Sequence, residues 1–175
     1  TVLDLGSGAG IDIFIAAKKV GPTGRVIGVD MTAEMIGKAR ENARKIQATN
    51  VEFRLGEIEN LPIESDSIDR VISNCVINLV PDKEKVFREI YRVLKPGGSF
   101  VVSDIVSIGD IPAEIKRDME LWAGCVAGAL EKSTYLDIIR RCGFDEPSIL
   151  SEKAYDYLRT ERYALESVTV RGVKR

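Results

Sequence analysis

A run of strand-type residues, Thr1-Val2-Leu3-Asp4-Leu5, passes without a linker into Gly6-Ser7-Gly8-Ala9-Gly10 and then into an apolar stretch with helical spacing, Ile11 to Val20. A strand that turns on glycines into a helix is the opening half of a βαβ unit, and it constrains this chain more than any other feature. Glycines at such a turn let the backbone bend tightly and approach a ligand closely. The helix start behind them offers N–H groups to an anionic ligand group. The spacing is G-x-G-x-G. The dinucleotide fingerprint needs a glycine at position 11, where Ile11 stands, and this disfavours a nicotinamide-dependent oxidoreductase. Two acids extend the pattern. Asp4 lies within the first strand, and a buried acid needs a partner. Asp30 ends the second strand, 20 residues after Gly10, where a carboxylate can accept both hydroxyls of a ribose. A glycine loop alone serves many kinds of nucleotide binder, and a ligand-free α/β domain with Asp30 as a cap would show the same local pattern.

The alternation continues along the chain. Gly21-Pro22-Thr23-Gly24 is a turn, Arg25 to Asp30 the second strand, and Thr32 the N-cap of a helix over Ala33 to Ile46. Val51 to Leu55 and Ile68 to Asn74 read as strands three and four. Asp82 caps the next helix, whose buried face is Val86, Phe87, Ile90, Val93 and Leu94, and Lys95-Pro96-Gly97-Gly98 stops it. Ser99 to Ile105 is the fifth strand. Helices are expected over Ala113 to about Leu130 and over Thr134 to Arg141, the second stopped by Gly143. Two late strands follow, near Ser148 to Ser151 and Ser167 to Val173. The pattern predicts one α/β domain over residues 1–175, built on a mostly parallel sheet.

Composition removes several classes of function. Histidine is absent, so no Ser-His-Asp triad, Cys-His pair or histidine zinc site is available. A net charge of −2, with scattered basic residues, predicts neither a nucleic-acid partner nor an anionic lipid partner. No signal peptide opens the chain, and no apolar run approaches the roughly 18 residues that cross a bilayer. The expectation is a cytoplasmic protein with no membrane partner. Three widely spaced cysteines read as reduced thiols, not as a disulfide framework. Because Thr1 already belongs to a core-type strand, a lead-in segment is expected to precede it in the natural protein.

Leu3-Asp4-Leu5-Gly6-Ser7-Gly8-Ala9-Gly10 followed by Val29-Asp30 resembles class I S-adenosylmethionine-dependent methyltransferases, as does the turn Leu94-Lys95-Pro96-Gly97-Gly98. The resemblance implies a Rossmann-like, seven-stranded sheet with helices on both faces and a C-terminal antiparallel hairpin. It implies S-adenosylmethionine as cofactor, bound over the C-terminal strand ends by Asp4, Gly6, Ser7, Gly8, Gly10 and Asp30. Met31 would pack beside the adenosine. Ile58 would be an apolar wall for the adenine, with Glu57 or Glu59 near its exocyclic amine, although both acids also fit a solvated loop and Ile58 also fits a core. Asn74 would face the methionine part.

The acceptor must lie beyond the fourth strand, where most O- and N-methyltransferases carry an acid, an aromatic residue or a histidine. This chain places a cysteine there. Ser73-Asn74-Cys75-Val76-Ile77-Asn78-Leu79, taken with Trp122-Ala123-Gly124-Cys125-Val126-Ala127-Gly128-Ala129, is similar to arsenite methyltransferases. That resemblance implies a trivalent arsenical as substrate, held by the Cys75 and Cys125 thiolates, which prefer soft ions. The arsenic lone pair is itself the nucleophile, so no general base is required, and catalysis rests on alignment. Asn74 and Asn78 would shape the cofactor end. Family members generally carry further thiols ahead of the first strand, so glutathione, thioredoxin or another thiol is an expected partner. Buried cysteines often only fill space. Cys142 has no such motif around it and reads as structural, as does Trp122. Three alternatives stay open: a quinone-biosynthesis methyltransferase, another small-molecule C- or O-methyltransferase, and a non-catalytic core that binds cofactor or metalloid.

Overall fold

The computed structural model describes residues 1–109, 111, 126, 128–155 and 163–175. β1 (Val2–Leu5) leads through the glycine loop into α1 (Ile11–Val20), and β2 (Val26–Asp30) into α2 (Ala33–Lys45). β3 (Val51–Leu55) and β4 (Ile68–Asn74) follow, then a 3-10 turn (Ile77–Leu79) and α3 (Lys83–Val93). β5 (Leu94–Ile108), α4 (Lys132–Arg141), β6 (Ser148–Ala154) and β7 (Ala164–Val173) complete the described elements. The strands form one seven-stranded sheet in the order β3-β2-β1-β4-β5-β7-β6. The first five run parallel, and β7 pairs antiparallel with both β5 and β6. This is the expected Rossmann-like sheet with its terminal hairpin.

The central strands are buried on both faces, which is why β1 and β2 are apolar at nearly every position instead of alternating. One face, with Leu3, Leu5, Val71, Phe100 and Val102, packs on Val86, Phe87 and Ile90 of α3 and Tyr135, Ile138 and Ile139 of α4. Phe87 stands at its centre, 5.5 Å from the Phe100 ring and 5.6 Å from the Tyr135 ring. The other face packs Val26 and Phe53 on Ile13 and Ala17 of α1 and Ile36, Ala39 and Ala43 of α2. Each buried Leu, Ile, Val or Phe contributes roughly 1.5–3 kcal/mol, far more than any single exposed ion pair. Apolar periodicity therefore fixes this architecture.

Several boundaries differ from expectation for local reasons. β5 begins at Leu94, because Leu94 pairs with Ile68 before a register shift at the Gly97 turn, where φ is +78°. β6 and β7 are each longer than their apolar patterns, since their long mutual ladder outweighs side-chain polarity. Asp82 caps α3 as expected, accepting from Lys85 N–H at 2.9 Å. The Thr32 side chain makes no cap bond, and its N–H donates instead to Asp30 Oδ1 at 2.8 Å. The helix expected over Ala113 to about Leu130 falls largely outside the described residues. Its end is corrected: Val126 and Gly128 lie in a bend and a turn, closed by an Ala129 N–H bond to Val126 O at 3.1 Å.

Candidate active site

Parallel register brings the predicted residues together. Leu5 pairs with Val29 on one side and with Ser73 on the other, so β1, β2 and β4 end level. The next residues along these strands are Gly6, Asp30 and Asn74. Leu55 of β3 pairs with Asp30 and completes that row, with Gly56 one residue beyond it. This is the crevice at the carboxyl ends of the strands, beside β1 where the chain reverses direction across the sheet.

The glycine loop holds Gly6, Gly8 and Gly10 at φ of +69°, +51° and +96°. A Cβ on Gly6 would also lie 2.3 Å from a Val76 methyl carbon, so the loop abuts the residue that follows Cys75. The loop amides do not point at a ligand. Gly6 and Ser7 N–H both donate to Val29 O, at 2.8 and 3.1 Å, and Gly10 N–H donates to Ser7 O at 2.9 Å. Gly8 N–H donates to Asp30 Oδ2 at 2.9 Å. Asp12 adds a carboxylate in the first turn of α1. Four of the loop amides are thus already bonded, and the Asp12 and Asp30 carboxylates beside them set a negative field, so the loop makes a poor phosphate cradle. Asp30 takes one backbone N–H on each oxygen and keeps lone pairs for further donors.

Two cavities flank the loop. One, of about 370 Å³, is lined by Gly6, Asp30, Met31, Glu57, Ile58, Glu59 and Val76, with Leu79 closing the far side. It gathers the residues expected around ribose and adenine. Ile58 also belongs to the main core, and Met31 is 75% exposed at the rim. The second, of about 320 Å³, is lined by Asp4, Asp12, Ser73, Asn74 and Ser103. Asp4 is buried there, and burial, with the nearby Asp12 and Asp30 carboxylates, pushes it up to about 8. Among the described residues, five carboxyl groups (Asp4, Asp12, Asp30, Glu57 and Glu59) against Lys19 alone line the two cavities, which suits a cationic, phosphate-free nucleoside such as S-adenosylmethionine. A broader depression of about 700 Å³ along α2 and β3 collects none of these residues. Ser7 contributes backbone only: its hydroxyl is buried and turned toward Gly28 of β2.

Cys75 follows β4 at φ +56°, a left-handed conformation that is costly for a side chain bearing Cβ. Its N–H donates to Ser103 O at 2.8 Å. Its half-buried side chain packs against the cluster of Ile105, Ile111, Val126, Ala129 and Leu165. Asn78 is fully buried, and its amide donates to Ile105 O at 2.6 Å. That bond clamps the 75–78 turn onto β5. Cys125 and Trp122 lie outside the described residues. Among the described residues, no cluster of three or more Cys, Asp or Glu could hold a metal ion. Cys142 lies on the α3–α4 side, its Sγ 3.6 Å from Glu84 O, and burial raises its thiol.

The sequence reading passed over Asp104. It faces the main core in the same row as Phe100, Val102 and Val106, and it accepts the Tyr135 hydroxyl at 2.9 Å. Burial pushes it up to about 7, with the Tyr135 bond pulling down, Cys75 pushing up and Lys83 pulling down. The signal was present: an acid at an inward position of a period-two strand.

Residues 1–156 match a family model described as a methyltransferase domain. An arsenite methyltransferase of Halobacterium salinarum is 54% identical over 149 residues, 85% of this chain and 38% of that protein. An arsenite methyltransferase of Mus musculus is 41% identical over 176 residues, 95% of this chain and 46% of that protein. The crystal structure of CrArsM, an arsenic(III) S-adenosylmethionine methyltransferase from Chlamydomonas reinhardtii, is similar with a TM-score of 0.89 at 39% identity, covering 97% of this chain and 62% of that one. The chain spans less than half the length of these two curated relatives. With the family model matched from β1 through β6 and the strand order described above, the chain belongs to the methyltransferase domain family, and its fold is that of the class I S-adenosylmethionine-dependent enzymes.

Proposed function

We propose that residues 1–175 act as one catalytic domain that transfers a methyl group from S-adenosylmethionine to trivalent arsenic held by Cys75 and Cys125. The observation that carries this reading is the placement of Cys75. Its thiol sits at a strained backbone position, one residue from Val76, which rests on the first glycine of the cofactor loop. Strain of this kind persists where the surroundings enforce it and gathers at functional sites.

Asp30 would hold the ribose hydroxyls, with Ile58 and Met31 against the adenine and Glu57 or Glu59 near its amine. Asp4 and Asn74 would face the methionine end. When bound, the cofactor would supply an electrophilic sulfonium methyl group, which the arsenic lone pair could accept with the S–C electron pair left on sulfur. Cys75 and Cys125 orient that lone pair, and a small-molecule thiol such as glutathione, or thioredoxin, supplies the remaining ligand. The chain needs no base for this step, in keeping with its lack of histidine. The arsenite methyltransferase relatives support the choice of substrate. No helix among the described residues is long and apolar enough to cross a membrane, and we place the protein in the cytoplasm, where thiols stay reduced.

Mass spectrometry of the products from arsenite, S-adenosylmethionine and glutathione tests the proposal. A methylarsenical is expected from the wild type and not from Cys75→Ser. Methylation of an organic acceptor that is indifferent to Cys75→Ser would establish the quinone or small-molecule alternative instead.

A further inference from the structure

The crest of the glycine loop is held from two sides. At the sheet, Gly8 N–H donates to Asp30 Oδ2 at 2.9 Å. From α2, the Asn42 side-chain amide donates to Ala9 O at 3.1 Å. Ala9 C=O and Gly10 N–H belong to one peptide unit, and Gly10 N–H donates to Ser7 O at 2.9 Å. Both ends of that peptide are therefore bonded, one to α2 and one within the loop. It lies between two residues at left-handed φ, Gly8 at +51° and Gly10 at +96°. Glycine takes either sign of φ about equally, and a Cβ on Gly8 would meet nothing within 4 Å. Neither backbone preference nor packing at Gly8 holds the crest, so the hydrogen bonds must. A half-turn of the 9–10 peptide would take Gly10 N–H off Ser7 O and the Ala9 carbonyl away from α2.

The composition of α2 sets this donor apart. Ala39 and Ala43 are buried against the sheet, and Glu34–Lys38 and Glu41–Lys45 pair with each other at i,i+4 spacing on the exposed side. Asn42 is the one uncharged polar side chain in the helix. Asparagine is disfavoured in a helix interior because it competes for backbone hydrogen bonds, and the bond to Ala9 O accounts for it here. We propose that Asn42 is a positioning residue for the methyl donor: its amide locks the Ala9–Gly10 peptide and keeps the loop crest in the form that receives S-adenosylmethionine. This rests on the reading that the glycine loop and Asp30 hold the cofactor. The lock reaches Asp30 itself, since a crest that shifts carries Gly8 N–H off the carboxylate. Loss of one hydrogen bond between neutral groups shifts an equilibrium roughly two- to tenfold. Where only the held form binds, affinity falls with the population of that form.

Calorimetry with S-adenosylhomocysteine tests the lock, because this ligand carries no net charge and a charge placed at position 42 does not by itself attract it. Asn42→Ala is expected to bind it about three- to tenfold more weakly, and Asn42→Asp at least as weakly. Aspartate has the shape of asparagine but at neutral pH only accepts hydrogen bonds, so wild-type affinity in Asn42→Asp overturns the proposal. Alanine is the better helix former, so α2 is retained in Asn42→Ala. Amide hydrogen exchange read by NMR supplies the second measure. In empty Asn42→Ala, Gly10 is expected to exchange faster by about the same factor, and saturating S-adenosylhomocysteine is expected to restore its protection. Gly6 and Ser7, which donate to Val29 O, are expected to stay within about twofold of wild type. Unchanged exchange at Gly10 overturns the proposal, as does an equal acceleration at all three amides, which marks a loosened fold. If Asp30→Ala binds S-adenosylhomocysteine as well as the wild type does, it is the placement of the cofactor at this loop that fails, and the role of Asn42 falls with it.

Discussion

Asp4 is held at about 8 by burial and by the Asp12 and Asp30 carboxylates, so at neutral pH it is mostly protonated in the empty site. A cofactor with a sulfonium and an ammonium group near Asp4 favours the ionised form, and binding must then release the proton. If only the carboxylate form binds, affinity scales as 1/(1 + 10^(pKa−pH)). From pH 6 to pH 8 this predicts an improvement of about fiftyfold in Kd, roughly 2.3 kcal/mol. Near pH 7 about 0.9 proton is released per cofactor bound. The amino group of the cofactor titrates over part of this range, since α-amino groups lie near 7.7–8.0, but equally for any variant. The measurement is therefore a comparison. Titration calorimetry of wild type and Asp4→Asn, in two buffers of different ionisation enthalpy across pH 6–8, gives affinity and proton count together. Asp4→Asn is expected to bind weakly with a pH profile flatter by that fiftyfold. Parallel profiles, or no difference in protons released, would refute the coupling of Asp4 to the cofactor charge.

Asp104, raised from 3.8 to about 7, keeps in the folded state a proton that the unfolded chain loses. Its contribution to stability therefore falls as pH rises from about 4 to 7, by at most about 4 kcal/mol. Asp104→Asn can still accept from Tyr135, and its denaturant midpoint is expected to vary less over that window; an unchanged pH profile counts against the raised value. Gly6→Ala combines a left-handed φ of +69° with a clash at Val76, and is expected to cost about 2–4 kcal/mol and to abolish cofactor binding. Thermal unfolding of Gly6→Ala would show a drop of several degrees. Cys142→Ala removes a half-buried sulfur remote from both cavities; methylation rates within about twofold of wild type are expected, with a stability loss of about 1 kcal/mol or less.

What was legible in the sequence is what local pattern controls. The bounds of β3 and β4 follow from strand-type residues spaced between polar ones, α3 from the Asp82 cap and its buried stripe, and the strand-end position of Asp30 from its spacing to the glycine loop. What was not legible is set by long-range bonds. The left-handed Cys75 carries no glycine to announce it, and tertiary bonds to Ser103 and Ile105 impose the turn. The loop amides looked available to an anion because nothing local reveals that Val29 O and Asp30 already accept them. The end of the helix expected toward Leu130 was read from small and apolar residues, whereas Gly128 lies in a turn against the Asn78 carbonyl.

The chain thus separates donor and acceptor chemistry in space. The donor side we propose is the row of strand ends, Gly6, Asp30 and Asn74, with Gly56 just beyond Leu55, and it is inseparable from the sheet register. The acceptor side hangs on β5 through Ser103, Ile105 and Ser107, each through a backbone atom. Backbone anchors do not specify side chains, so segments with other residues at positions 75 and 125 could mount on the same three points while the donor row stays as it is. That is how one fold serves many acceptors. It also explains why the glycine loop, however clear, bears only on the methyl donor, and why the acceptor must be argued from Cys75 and Cys125.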